Sequence, residues 1–122
     1  MIRLSVNKQR VTILSVPPIV SGTEKYSLSF LFDRSWDGYD KVAAFVFKSE
    51  DSMNTQSQFV PISDDNTCDV SIGDLFAGGF LQIGVIGTMG DSFIPTTYTP
   101  AIPIRKGADV DLQFNIGGDA ID

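Results

Sequence analysis

The chain of 122 residues contains no histidine. That absence removes a Ser-His-Asp or Cys-His catalytic pair and every histidine-ligated metal site. It also removes the side chain most used for proton transfer near neutral pH. Cys68 is the single cysteine, so no internal disulfide can form. It lies in the alternating run TCDVSI, which fits a buried small hydrophobe better than a reactive thiol. A chain without disulfides fits synthesis in a reducing cytoplasm. No apolar run approaches the roughly 20 residues of a membrane-spanning helix. The opening MIRLSVNKQRV lacks a long apolar core and a small-residue cleavage site, so it reads as a strand and not as a signal peptide. Basic residues are few: nine Lys and Arg, scattered, against fifteen Asp and Glu leave a net charge of −6. Such a chain has no electrostatic footprint for nucleic acid, and the acidic balance favours solubility. There is no convincing helix of normal length and no internal repeat.

What is present reads as strands. Ile2, Leu4 and Val6 alternate with polar residues, as do Val11 and Ile13, with Asn7-Lys8-Gln9 between them; this is a β-hairpin. Pro17-Pro18 ends the second strand. From Tyr26 to Phe32, Leu28, Phe30 and Phe32 share one face, and Leu31 breaks the apolar–polar pattern. An acidic turn with the only Trp, Trp36-Asp37-Gly38, leads to Lys41–Lys48, whose apolar run VAAFVF suggests a central strand buried on both faces. The bland reading of Trp36 is a large indole closing the end of the core between two strands. Ser49–Gln58 is polar and aperiodic, which predicts a loop, and Phe59–Ile62 a short strand that its proline places at an edge. Cys68, Val70 and Ile72 share a face. Gly73–Phe76 fits a single helical turn that Gly78-Gly79 ends. Phe80–Ile86, Phe93–Tyr98 and Ala101–Ile104 complete the series. Strands about every 8 to 12 residues, with Gly, Pro and Asp turns, suggest a β-sandwich or barrel. The expected fold is an all-β, antiparallel β-sandwich with at most one short helical turn near residues 73–77. One domain covers residues 1–107. Residues 108–122 form a C-terminal strand or linker, in which Val110, Leu112, Phe114 and Ile116 alternate with polar residues. Such a half-apolar strand wants a partner. That is a sheet edge, on a neighbouring subunit or on its own domain.

Few chemical motifs stand out. Asp33, Asp37 and Asp40 are the densest acidic cluster, open to a Ca²⁺ or carboxylate-pair reading, but their spacing matches no calcium loop. They read better as turn and capping residues. Asp64, Asp65 and Asp69 raise the same metal idea, yet successive turn residues rarely converge on one ion. Gly84-Val85-Ile86-Gly87 lacks the lysine of a phosphate-binding loop and sits in a strand, where it implies a bulge or a close approach by another side chain. Trp36, Tyr39, Tyr26 and Tyr98 could stack on sugars if exposed, although aromatics in such a chain more often belong to the core. No cofactor and no metal site is expected.

Taken in order, several short motifs resemble a known family. A strand ending F-x-F precedes Trp36-Asp37-Gly38 and Lys41-Val42-Ala43-Ala44-Phe45. Val70-Ser71-Ile72 with Leu75-Phe76 follows, then Gly79-x-Leu81-x-Ile83-Gly84-Val85-x-Gly87, then Ile94-Pro95-Thr96, then Ile104 with Gly107. Over Ser27–Gly107 this resembles the N-terminal β-sandwich domain of structural proteins from phages and prophages of Gram-positive and gut bacteria. Upper baseplate proteins of lactococcal-type siphophages and some tail or head fibre proteins begin this way. Gly73 departs from the pattern, which has proline there. The resemblance implies a non-enzymatic virion component that anchors a fibre or baseplate arm, assembles as a homo-oligomer (a trimer favoured), and contacts other virion proteins but neither nucleic acid nor membrane. The matching positions Trp36, Gly38, Lys41, Gly84, Gly87, Pro95 and Thr96 are then fold-determining, and Val110, Leu112, Phe114 and Ile116 candidate oligomer contacts. The alternative is a carbohydrate-binding module contacting host glycans.

Overall fold

The computed structural model describes residues 1–49, 55–73, 76 and 78–108. Among the described residues ten strands follow one another: β1 (Ile2–Asn7), β2 (Arg10–Ser15), β3 (Ile19–Val20), β4 (Tyr26–Phe32), β5 (Asp40–Lys48), β6 (Thr55–Pro61), β7 (Thr67–Val70), β8 (Phe80–Met89), β9 (Ser92–Pro95) and β10 (Ile102–Arg105). They form two sheets, ordered β2-β1-β4-β7 and β3-β10-β8-β5-β6, with β9 added on β8. The fold is an all-β sandwich.

Period-two alternation decides which residues enter the core. Ile2, Leu4 and Val6 of β1 and Leu28 of β4 are fully buried, and Phe30 nearly so. From the larger sheet they meet Phe45, Phe47, Leu81, Ile83 and Val85 in one contiguous cluster. Leu31 obeys the alternation after all: it points outward and is 66% exposed.

The sheets are mixed, where antiparallel pairing throughout was the expectation. β1 runs parallel to β4, and β10 parallel to β3. Parallel neighbours need a long connection between them, and both pairs have one. The chain makes β2 and β3 before it reaches β4, and six strands, β4 to β9, separate β3 from β10. Helical turns also differ from expectation. A 3₁₀ turn at Arg34–Trp36 follows β4, in addition to the turn expected at 73–77, of which Phe76 is described in 3₁₀ conformation. β6 begins at Thr55, inside the stretch read as a loop. Its Thr-Gln-Ser-Gln start has no apolar period because an edge strand can form on its ladder with β5 alone. Its proline placed it at the edge correctly. β5 is interior to its sheet, and its two faces are covered unequally: Ala43, Phe45 and Phe47 enter the core, while on the other face Ala44 is buried, Val42 and Val46 are half-buried, and Asp40 and Lys48 are exposed. The tail positions Val110, Leu112, Phe114 and Ile116 lie outside the described residues.

Candidate functional site

β4 stops at Phe32, and the Asp33 amide still bonds the Val6 carbonyl (3.0 Å). The 3₁₀ turn then swings the Trp36 ring inward, and Trp36 N–H donates to the Asp33 carbonyl (3.2 Å). The indole is fully buried. Its Nε1–H donates to the Lys8 carbonyl in the first hairpin turn (2.8 Å). Burial of so large a ring is possible because its one polar atom finds an acceptor. Phe32 and Tyr39 pack on it at ring-centre distances of 5.5 and 6.0 Å. Beneath it lies Gly87. A Cβ there would stand 2.6 Å from Trp36 Cζ3, so only glycine lets the indole seat on β8. Gly38 closes the turn at φ +84°. The Lys41 ammonium lies 5.0 Å from the Phe32 ring centre and donates to the Tyr39 carbonyl (3.1 Å). Four of the positions singled out in the sequence, Trp36, Gly38, Lys41 and Gly87, therefore meet at one end of the sandwich.

Gly84 and Thr96 meet along β8. The Thr96 amide donates to the Val85 carbonyl (2.8 Å), and the Val85 amide donates to the Thr96 hydroxyl (2.8 Å). Thr99 does the same for Ile83, at 2.9 and 3.1 Å. Each threonine hydroxyl takes the place of a ladder carbonyl where the chain between β9 and β10 departs from regular strand. The Tyr98 ring lies over Gly84, with two ring carbons 3.2 Å from where a Cβ would be. Pro95 pairs with Ile86 at the end of β9. The Gln9 side chain donates to the Pro95 carbonyl (2.9 Å), and the Thr97 amide to the Gln9 carbonyl (2.9 Å). This segment thereby ties the hairpin of the smaller sheet to the larger one. Sequence reasoning missed Thr99 and the Gln9 link; the T-T-Y-T run beside prolines was the available signal.

The acidic groups behave as turn chemistry. The Asp33 carboxylate accepts from the Lys8 amide (3.2 Å) and the Ser35 hydroxyl (2.6 Å), so it braces the turn and caps no helix amide. The Asp65 carboxylate accepts from the Ser63 and Thr67 hydroxyls. These bonds, Ser63's foremost, hold its pKa below the ordinary carboxylate value. Asp69 pairs loosely with Lys25 at 3.7 Å, both exposed. Among the described residues no three acidic or cysteine side chains gather as a metal site would need. Asp40 and Asp64 share the lining of an open groove of about 340 Å³ with Lys41, but both are exposed, and an acid–base pair needs one desolvated member. Burial pushes the Cys68 thiol up to about 12, with Asp69 adding to it, which suits an inert core residue.

No family model matches the chain. No curated protein gives a significant match to it either.

Aromatic exposure follows the core reading for Trp36, in part for Tyr26 and Tyr39, and departs from it at Tyr98. Trp36 is sealed, and Tyr26 and Tyr39 are half-buried. The Tyr26 hydroxyl accepts from the Val20 amide (2.9 Å) and donates to the Pro18 carbonyl (3.1 Å). Of the four rings named for stacking, only Tyr98 is well exposed. It belongs to a larger apolar area, the outer face of the larger sheet. On β5, Asp40, Val42, Ala44, Val46 and Lys48 point that way. Val42 pairs with Pro61 and Ile86, and Ala44 with Phe59 and Gly84. Phe59 and Phe93 are 59% and 60% exposed.

Proposed function

We propose that the chain is a non-enzymatic structural protein of a phage or prophage virion. In this reading it is made in the host cytoplasm and joins a fibre, baseplate arm or head fibre to the particle as a homo-oligomer, a trimer by the resemblance. The observation that carries the reading is where the family-matching residues fall. Trp36, Gly38, Lys41 and Gly87 build one end of the sandwich, and Gly84 and Thr96 secure the neighbouring stretch of β8. Residues shared for the sake of a scaffold are expected in such places, whereas residues shared for catalysis would converge in a cleft. Support also comes from the outer sheet face, whose exposed phenylalanines suit an assembling protein. The test is immunogold electron microscopy of particles released from bacteria that carry the gene. Labelling of tail tips, baseplates or head fibres is the expected result; particles that never carry the protein would sink the reading. Carbohydrate binding stands second. It is favoured by the exposed Tyr98 beside a groove of about 450 Å³ that Arg10 and Thr12 help to line.

A further inference from the structure

We infer that the outer face of the larger sheet is where two copies of this chain meet, with β5 of one copy antiparallel to β5 of the other. The inference rests on the assembly reading above only for the premise that copies associate, and it puts a two-fold contact between paired copies in place of the trimer. Three observations carry it. First, the face carries apolar side chains on neighbouring strands: half-buried Val42 and Val46 on either side of the buried Ala44, Phe59 on one flank, and Ile86, Phe93 and the Tyr98 ring over Gly84 on the other, with Ser57 and Gln82 as the polar neighbours of Val46. Second, charge sits only at the two ends of the β5 stripe, and with opposite sign: Asp40 at its start, Lys48 at its end, both exposed. Third, that stripe is symmetric about Ala44. Val42 and Val46 stand two residues to either side, Asp40 and Lys48 four.

A two-fold axis lying between the faces, perpendicular to the strands at Ala44, is the operation that uses this pattern. It lays Val42 on the second copy's Val46 and Asp40 opposite the second copy's Lys48, twice over. Two stacked sheets have such a core about 10 Å thick, fed by alternate residues. A parallel arrangement would set Asp40 against Asp40 and Lys48 against Lys48, which like-charge repulsion disfavours. From strand spacing and rise, the face is roughly 500 Å². That is below the ~800 Å² per partner of a standard interface, so association is concentration-dependent.

The test is the mass of the full chain by sedimentation velocity over about a hundredfold range of concentration, with variants. The wild type is expected to shift from monomer toward dimer as concentration rises. Phe59→Ser with Phe93→Ser should weaken association roughly tenfold or more, with an unchanged melting temperature because both rings are largely exposed. Asp40→Lys alone and Lys48→Glu alone should each weaken it roughly tenfold, and the two together should restore it. Association that ignores all four changes would overturn the inference while leaving an assembling protein. Loss in both charge variants without restoration in the double variant would overturn the antiparallel pairing. A wild type that stays monomeric throughout would remove the assembly reading along with the interface. A face that binds glycans as a monomer, and loses them with Phe59 and Phe93, would replace the inference with the carbohydrate reading.

Discussion

Trp36 and Gly87 occupy one space between them. The indole fills it, and the missing side chain on β8 leaves the room. Truncating the ring opens a cavity where neighbouring rings cannot collapse and strands the Lys8 carbonyl. Trp36→Ala should therefore destabilise the fold by about 3–5 kcal/mol in urea or guanidinium unfolding; a loss below about 1 kcal/mol would mean the ring contributes little to the core. Half of this arrangement was legible in the sequence. A lone Trp between two apolar segments reads as an end cap because nothing else in an acidic turn can cover a core. Gly87 in a strand signalled a bulge or a close approach by another side chain, but that the approaching ring is Trp36 was not legible, since the contact joins residues far apart in the chain. The same limit applies to Cys68. Alternation placed it inside, and burial then keeps its thiol protonated well above neutral pH.

At the scale of elements, β8 depends on hydroxyls as well as on strands. Thr99 is buried, and its Oγ1 is the acceptor for the Ile83 amide. Thr99→Val keeps the shape and leaves that amide without a partner, at a cost of about 1–3 kcal/mol. Denaturant unfolding reads the loss, and hydrogen exchange should show the Ile83 amide as the one most exposed by it. The β6–β7 turn carries a different dependence. Asp65 accepts two hydroxyls when ionised, and its pKa in the fold lies below the ordinary value of 3.8. A group depressed on folding stabilises the protein above its unfolded pKa and ceases to do so as pH falls through the folded one. The stability difference between wild type and Asp65→Asn should thus be constant from neutral pH to about pH 5 and shrink below pH 4. Urea titrations at stepped pH check this; a difference that grows on acidification would contradict it. Strands themselves were well read, because alternation is a local property of Ile2–Val6, Leu28–Phe32 and Cys68–Ile72. Pairing direction was not. Nothing in β1 or β4 alone says that they run side by side in the same sense, and the polar start of β6 gives no period to read.

At the scale of the molecule, one core serves both sheets. β1 and β4 from one and β5 and β8 from the other contribute to it jointly, and Gln9 ties the first hairpin to the segment after β9. Neither sheet has an interior of its own. Far-UV and near-UV circular dichroism should therefore trace one superimposable unfolding transition; two separated transitions would mean that the sheets hold independently. The sandwich was foreseeable from strand spacing and turn residues. The outer face was not, because the run Val42–Phe47 looks the same whether its second side is covered or bare. The order of strands has a further consequence, for synthesis. β10 lies between β3 and β8, and residue 19 is paired with residue 104. While the chain is still emerging from a ribosome, the larger sheet has a gap between β3 and β8 that β10 fills. β3, two residues long, must wait with Ile19 unsheltered until residue 105 is clear of the exit tunnel. Pairings this distant in sequence fold slowly and leave strand edges open meanwhile, so the nascent chain passes through a window in which chaperones have something to hold.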